Sequence, residues 1–263
     1  MVRRLVSLTA LAFLQVAQCF APLHISAARS ASRRSDKWTP CEMCGIVAFI
    51  ASETEDGQLH LQDITKQTER ITHRGPDGMH VESEVHKGGG FSLGHTRLAI
   101  NDPSHAGDQP FQIVHQGKTY HLVANGEIYN HNDIYEKMLQ EGWEVPRKSK
   151  SDCEVIAHAY AKYGKEAVKL LDGMFAFTII EQNEDGSIAS ILAARDPVGI
   201  KPLYHGMSPQ GAHVFASELK ALVDLVEPSS VTAIPSGHSW TPEDGLECFY
   251  NPDWLRKVSF EVV

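Results

Sequence analysis

A cysteine opens the short apolar segment Cys44-Gly45-Ile46-Val47-Ala48-Phe49-Ile50, directly behind a leader-like N-terminus. If the chain is cut before Cys44, the thiol and a free α-amine belong to the same residue. An α-amine has a pKa of roughly 7.7–8.0, so it can take the proton of its own thiol when the sulfur attacks a substrate. In an uncut chain the same cysteine would be a small buried hydrophobe, and Cys44 taken alone favours that second interpretation.

The first 43 residues are typical of a targeting segment. Residues 1–19 predict a signal peptide, because Arg3 and Arg4 precede a short apolar stretch that ends in small residues. Residues 20–43 predict a transit-like presequence, rich in Ser, Ala and Arg and with no acid before Asp36. Together they resemble the two-part leaders that deliver proteins to secondary plastids of algae, so we expect a plastid location. The alternatives are the secretory pathway, or the cytoplasm if translation starts at Met43.

The charge balance excludes two classes of partner. Residues 1–43 contain six of the 24 basic and two of the 33 acidic residues, which leaves 18 basic, 31 acidic and a formal charge of −13. A nucleic-acid surface needs a clustered basic patch, so we expect no nucleic-acid partner. We also expect the mature form not to bind a membrane.

Cysteine and histidine spacing predicts free thiols and no metal. Past the leader the cysteines are Cys44, Cys153 and Cys248, an odd and widely spaced set that does not look like a disulfide framework. Cys41 and Cys44 have the C-x-x-C spacing of redox and zinc sites, but no second pair accompanies them. The 14 histidines show no H-x-x-x-H spacing, so no metal ligands are assigned.

Residues 44–250 predict a single mixed α and β domain. The predicted strands are 44–50, 91–100, 119–125, 174–181, 188–194, 202–206 and 212–217. The predicted helices are 61–73, 131–141, 152–163 and 217–226, and Ser151 with Glu154 predicts a capping box for the third. Because the strands cluster as hairpins, we expect antiparallel sheets covered by helices.

Polar clusters lie between these elements, and each has an ordinary structural explanation. Residues 75–78, Gly-Pro-Asp-Gly, are turn chemistry, Asn125-Gly126 is a hairpin signal, and Ser151 or Asp152 could cap a helix. Their combination is more specific than any single cluster. In chain order the motifs are HRGPDG (73–78), GHTRLAI (94–100), NGEIYNH (125–131), SDCEVI (151–156), LDGMFAF (171–177), ARDPVGIKPLY (194–204) and FASELKAL (215–222).

With the leading Cys-Gly, these motifs resemble the glutamine-hydrolysing domain of class II glutamine amidotransferases, an N-terminal-nucleophile group. The resemblance runs from Cys44 to about Trp254. The NGEIYNH and GMFAF forms favour the amino-terminal domain of asparagine synthetase over the phosphoribosylpyrophosphate and glucosamine-6-phosphate branches. The resemblance implies an α+β fold, a four-layer αββα sandwich of two antiparallel sheets between helices.

The resemblance also implies a chemistry. Cys44 would attack the side-chain amide of glutamine with help from its own α-amine, form a γ-glutamyl thioester and release ammonia, and water would then free glutamate. The side chain of Asn125 and the N–H of Gly126 would form the oxyanion hole. The implied glutamine-binding residues are Asn125 and Gly126, Arg97 on the α-carboxylate, Glu127 and Asp152 on the ammonium group, and the backbone of Ile100 and Asn101.

Other motif residues receive supporting roles. The resemblance implies that residues 74–78 form a loop that closes over bound glutamine and excludes water. We expect an architectural role for Tyr129, Arg195, Asp196 and Lys201.

Two conditions follow from the resemblance. Residues 1–43 must be removed, or translation must begin at Met43, because an α-amine held in a peptide bond is not a base. Residues 251–263 resemble the start of a linker into an ATP-using synthetase domain, whose Ser-Gly-Gly-x-Asp-Ser loop does not occur in the 263 residues. We therefore expect a truncated synthetase, with a synthetase domain or subunit as ammonia acceptor. This domain needs no cofactor, and ATP and Mg enter only with that partner.

Several alternatives stay open. The chain could be a free-standing glutaminase subunit, could serve another amidotransferase acceptor, or could be a catalytically silent glutamine-binding module with a blocked Cys44. A papain-like hydrolase is disfavoured because no cysteine lies in a local signature of that kind. The sequence also leaves open a homodimer.

Overall fold

The computed structural model describes residues 43–52, 61–86 and 88–253. All of the described residues belong to one compact unit, and residues 53–60 and 87 lie outside the described ranges. The predicted signal peptide, the presequence up to residue 42 and the predicted linker from residue 254 onward also lie outside them. Across the three described ranges, no helix has the length and hydropathy needed to cross a membrane.

Two antiparallel sheets of six strands each form the centre of the described fold. The strands of the first sheet are β1 (Gly45–Ser52), β2 (Gly78–His86), β3 (Gly89–Arg97), β8 (Tyr204–Met207), β9 (His213–Ala216) and β10 (Thr232–Ala233). Those of the second are β4 (Phe111–His115), β5 (Lys118–Ile128), β6 (Gly173–Gln182), β7 (Ile188–Arg195), β11 (His238–Thr241) and β12 (Gly245–Cys248). Their spatial orders are β10-β8-β9-β1-β3-β2 and β12-β11-β7-β6-β5-β4.

Three apolar layers hold the sheets and helices together. The sheets pack face to face through buried side chains such as Ile46, Leu93, Val123 and Ile180. The outer face of the second sheet packs against α2 (His131–Gln140) and α3 (Glu154–Tyr163). The outer face of the first sheet is covered by the segment around α1 (Thr65–Glu69) and by a 3₁₀ turn, Leu219–Ala221. The predicted αββα sandwich is confirmed.

Several local predictions were wrong. The helix expected over 61–73 is only α1, and the one expected over 217–226 is only the 3₁₀ turn. The capping box does not form, because Glu154 accepts hydrogen bonds from the backbone N–H groups of Lys148 and Ser149. The sequence prediction also missed strands β2, β4, β10, β11 and β12.

The Asn125-Gly126 pair is not a hairpin turn. Both residues lie inside β5, where Asn125 pairs with Ala176 and Gly126 with Phe175 of β6. Long pairing with β6 overrides the local turn signal.

Candidate active site

Cys44 lies immediately before β1, a central strand of the first sheet. Its Sγ is 3.4 Å from the backbone N of Leu98 and 3.7 Å from the Leu98 carbonyl oxygen. The start of β1 is fixed from the other side, because Ser217 Oγ accepts a 3.0 Å hydrogen bond from the N–H of Ile46. The thiol is therefore held at one end of the sheet, next to the segment that follows β3.

The HRGPDG segment packs against this end of the sheet. Arg74 Nε donates a 3.0 Å hydrogen bond to the carbonyl of Cys44, and its Nη1 lies 3.0 Å from Glu218. A Cβ on Gly75 would stand 2.3 Å from the backbone of Thr96, so only glycine fits there. Asp77 accepts a 2.8 Å hydrogen bond from the N–H of Ala99. The HRGPDG segment thus holds the backbone of Cys44 and the residues that follow β3 in place.

Strand β5 carries the predicted oxyanion-hole pair. Asn125 is buried, and its Nδ2 has no hydrogen-bond partner among the described residues. A buried donor without a partner costs about 1–3 kcal/mol, so the fold tolerates a penalty that a bound acceptor would remove. Gly126 is required sterically, because a Cβ there would stand 2.4 Å from the Met174 carbonyl oxygen.

Two buried residues connect this strand with Cys44. Cys153 Sγ donates a 3.4 Å hydrogen bond to the carbonyl of Gly126. The buried amine of Lys201 lies 3.1 Å from the sulfur of Met43, and its charge interacts with Cys44, Cys153 and Glu127. Cys44, Glu127 and the Gly126 backbone therefore share one neighbourhood.

Asp152 ties the substrate-binding segments together. One of its carboxylate oxygens accepts a 2.7 Å hydrogen bond from Asn101 Nδ2, and the other accepts a 2.5 Å bond from the N–H of Ile128. Asn101 and its neighbour Ile100 are exposed. The structure thus brings the loop after β3 next to the end of β5, as the predicted pocket requires.

Arg97 is almost completely buried and contacts the 102–108 loop. Its Nη1 donates to the Ser104 carbonyl at 2.8 Å and to Asp108 at 2.5 Å, and its Nη2 donates to the Asp102 carbonyl. A guanidinium has five N–H donors, and three of them go to this loop. The predicted contact with an α-carboxylate stays a prediction.

The surroundings of Cys44 disfavour a free thiolate. Burial raises the pKa of the Cys44 thiol. Its Leu98 backbone contact and the charges of Lys201, Arg97 and Arg74 oppose that rise only in part. A thiol with a raised pKa stays protonated near neutral pH, so it needs a base before it can attack.

The architectural role of Asp196 and Arg195 was predicted correctly from the sequence, but the surroundings of Lys201 were not predicted. Asp196 accepts hydrogen bonds from the N–H groups of Val198, Gly199, Ile200 and Lys201, and Arg195 donates to three carbonyls, so both have the expected architectural role. Lys201 was also expected to be architectural, yet its amine contacts Met43, the residue before Cys44, and its charge interacts with the Cys44 thiol. Neither Lys201 nor Cys153 has a spacing that signals this proximity.

An αββα sandwich with a cysteine at the head of a central strand is the arrangement of an N-terminal-nucleophile type of domain, and the Asn125 amide adds a donor that has no partner among the described residues. A family profile described as "Glutamine amidotransferase domain" matches residues 43–236. The chain belongs to this family of glutamine amidotransferase domains, and the predicted resemblance is confirmed.

Individual relatives agree with this assignment. The chain is 40% identical over 219 residues to asparagine synthetase [glutamine-hydrolyzing] 3 of Arabidopsis thaliana. It is also 40% identical over 219 residues to the asparagine synthetase [glutamine-hydrolyzing] of Zea mays. Each match covers 82% of this chain and 34% of the relative, so the chain spans about a third of the length of these proteins.

A solved structure supports the fold. The glutamine phosphoribosylpyrophosphate amidotransferase from B. subtilis, complexed with ADP and GMP, superposes with a TM-score of 0.56 at 23% identity. The superposition covers 80% of this chain and 50% of that one.

Proposed function

We propose that this domain hydrolyses glutamine to glutamate and ammonia through Cys44, and that the ammonia serves asparagine synthesis. The observation that carries the proposal is the buried Nδ2 of Asn125, which has no hydrogen-bond partner among the described residues and lies on the strand that Cys153 and Lys201 connect with Cys44. A glutamine amide carbon attacked by the Cys44 thiol would carry a negative oxygen that this donor could bind.

The proposed reaction needs Cys44 as the first residue. Its α-amine takes the proton of the thiol while the sulfur attacks the side-chain amide of glutamine. Asn125 Nδ2 and the Gly126 N–H stabilise the oxyanion, and the protonated amine passes its proton to the departing ammonia. The amine then activates a water that cleaves the γ-glutamyl thioester. The raised pKa of the thiol supports this base-assisted route over attack by a thiolate that is already deprotonated in the free enzyme.

Recognition of glutamine as an amino acid needs opposite charges at two ends of the pocket. Glu127 and Asp152 supply the negative end for its ammonium group. Arg97 supplies the positive end through the N–H groups that do not bind the 102–108 loop. The backbone of Ile100 and Asn101 lines the side between them.

We propose a synthetase domain or subunit as the acceptor of the ammonia. The Arabidopsis and maize relatives are called asparagine synthetases, and their matches to this chain cover about a third of their length. ATP chemistry would belong to that partner.

The proposal is tested by glutamate release from glutamine by a purified chain that begins at Cys44. The substitution Cys44→Ala should abolish release, because it removes the attacking sulfur. The matched control Cys248→Ala removes an exposed free thiol on β12 and should leave the rate unchanged.

Two results would argue against the proposal. Release by the Cys44→Ala chain would exclude Cys44 as the nucleophile. Glutamine binding in calorimetry without any release, in every form, would identify a silent binding module instead.

A further inference from the structure

Two carboxylates lie on the inner face of the edge strand β2. Glu82 pairs with Leu93 and Glu84 with Phe91 of β3, and both partners belong to the apolar layer between the sheets. Glu82 and Glu84 are half-buried, so strand β2 presents two acids towards the second sheet instead of the apolar residues of its neighbour.

A buried histidine of the second sheet meets these carboxylates. His121 of β5 is 0% exposed, and its ring lies against Phe91 with centroids 4.7 Å apart. One ligand atom from each of Glu82, Glu84 and His121 lies within 4.8 Å of the other two. The Nδ1 of His121 has no hydrogen-bond partner among the described residues, which leaves a buried ligand atom unused.

Neighbouring side chains hold the three residues in place. His86 Nε2 lies 2.9 Å from Glu84, and Gln182 Nε2 donates a 3.2 Å hydrogen bond to the same carboxylate oxygen. The Oε1 of Gln182 lies 3.3 Å from His121 Nε2, so Gln182 links Glu84 to the histidine. Outer hydrogen bonds of this kind orient ligands and are typical of metal sites.

The charges in this cluster favour a cation. Glu82 and Glu84 place two carboxylates within 4.8 Å of each other on a half-buried face. His121 adds a buried imidazole, which binds metals through the lone pair of its neutral ring. A divalent cation would balance both carboxylates and use the neutral ring.

We propose that Glu82, Glu84 and His121 bind one divalent transition-metal ion such as Zn²⁺. Two carboxylates and an imidazole suit such ions, whereas Mg²⁺ and Ca²⁺ prefer oxygen ligands alone. Ligand atoms of a tetrahedral zinc site lie about 3.3 Å apart, given Zn–ligand distances of about 2.0–2.2 Å. The ligand atoms need to close in by up to about 1.5 Å, which half-exposed glutamates on an edge strand can do.

The residue spacing did not predict this site, because His121 lies far from Glu82 and Glu84 in the sequence. Glu82 and Glu84 lie on one sheet and His121 on the other, so no short spacing motif joins them. None of the three belongs to the glutamine site. A bound ion would cross-link the edge strand β2 of the first sheet to β5 of the second sheet and so stabilise this edge of the sandwich.

The test is calorimetric titration of the full 263-residue chain with ZnCl₂ after removal of metal by a chelator. The variants are Glu82→Gln with Glu84→Gln, and His121→Gln. The matched control is Glu247→Gln with His238→Gln, which changes the same residue types at an exposed position on β12 and a partly exposed position on β11. Cobalt absorption in the near ultraviolet then separates this site from thiolate ligands such as Cys41 and Cys44.

We expect one zinc site that Mg²⁺ does not displace, whose cobalt form lacks thiolate charge-transfer bands. Its affinity should fall in both test variants by more than the roughly 10–100-fold that loss of an outer hydrogen-bond partner costs, and should be unchanged in the control. Zinc should also raise the Tm of the wild-type chain but not of the double glutamine variant. Absence of zinc binding, or unchanged affinity in the double glutamine variant, would overturn the proposal. If His121→Gln does not fold, the glutamine pair still decides, because those positions are half-exposed.

Discussion

The side-chain Nδ2 of Asn125 is buried and has no hydrogen-bond acceptor among the described residues. The residue itself lies within β5, where it and its strand neighbours pair with β6. Such a donor lowers the stability of the fold, so its presence is best explained by a bound state in which it is used. The proposed acceptor is the oxyanion formed when Cys44 attacks glutamine.

The substitution Asn125→Ala tests this at the residue scale. It should lower kcat for glutamate release by about 10²–10³ with a much smaller change in KM, because the donor acts on the transition state. Steady-state kinetics of the chain that begins at Cys44 would measure both constants.

Thr178→Val is the matched control for Asn125. Thr178 is also fully buried, and its side-chain oxygen has no hydrogen-bond partner among the described residues, but it lies on β6 opposite Val123. This variant should keep its kcat. A loss of activity in the control equal to that of Asn125→Ala would mean that both substitutions act by disturbing the sheet.

The motif order predicts the residues that are proposed to react with or bind glutamine. Cys44, Asn125, Gly126 and Asp152 all come from motif positions, and the structure brings them to one end of the sandwich. Lys201 and Cys153 could not be predicted in the same way. Their proximity to Cys44 arises from how the two sheets stack, and nothing in their local sequence signals it.

At the scale of elements, apolar strands were predicted well and polar ones were missed. The predicted strand 174–181 corresponds to β6, which is buried along almost its whole length. Strand β2 was missed because the face of GMHVESEVH that is turned to the second sheet carries Glu82 and Glu84. A strand pattern is expected to have apolar residues at such inner positions. The inner polar residues that hid this strand are those of the proposed metal site.

Local sequence signals also failed where hydrogen bonds to other segments replaced the predicted local ones. The Asn125-Gly126 turn signal is overridden by ten residue pairs between β5 and β6. Glu154 gives up the capping box because the loop before it supplies the N–H groups of Lys148 and Ser149 as donors. These choices depend on distant pairing, which a short sequence window does not contain.

At the scale of the whole molecule, buried histidines couple the packing of the two sheets to pH. His205 of β8 stacks on Phe215 of the first sheet and packs at a tilt against Trp240 of the second, with ring centroids 4.7 Å from each. Burial and the neighbouring His213 lower the pKa of His205 to about 4. Its ordinary value in an unfolded chain is about 6.5.

Stability should therefore fall as the pH is lowered from about 6.5 towards 4. In this window the unfolded chain binds a proton at His205 that the folded chain does not, so the free energy of unfolding decreases by up to about 3 kcal/mol. The substitution His205→Phe should flatten this part of the curve, measured by urea unfolding at several pH values. The control is His238→Phe at a partly exposed position, which should follow the wild type. Parallel curves for His205→Phe and wild type would contradict the assignment.

The leader stays a prediction at this scale. Residues 1–19 and 20–43 were assigned from composition, and the plastid destination rests on that assignment alone. The domain proposed here needs only that the leader be removed at Cys44, wherever this happens.

The central claim is that the α-amine of Cys44 is the base for its own thiol. It is tested most directly by comparing glutamate release by two purified chains, one beginning at Cys44 and one in which Glu42-Met43 still precede it, with both N-termini verified by intact mass. The thiol is the same in both chains, and the second differs by an α-amine held in a peptide bond and by the two residues that precede it. We predict release by the first chain and a rate at least about 10²-fold lower in the second, since general-base assistance contributes about 10²–10⁴-fold. Equal rates in the two chains would contradict the account.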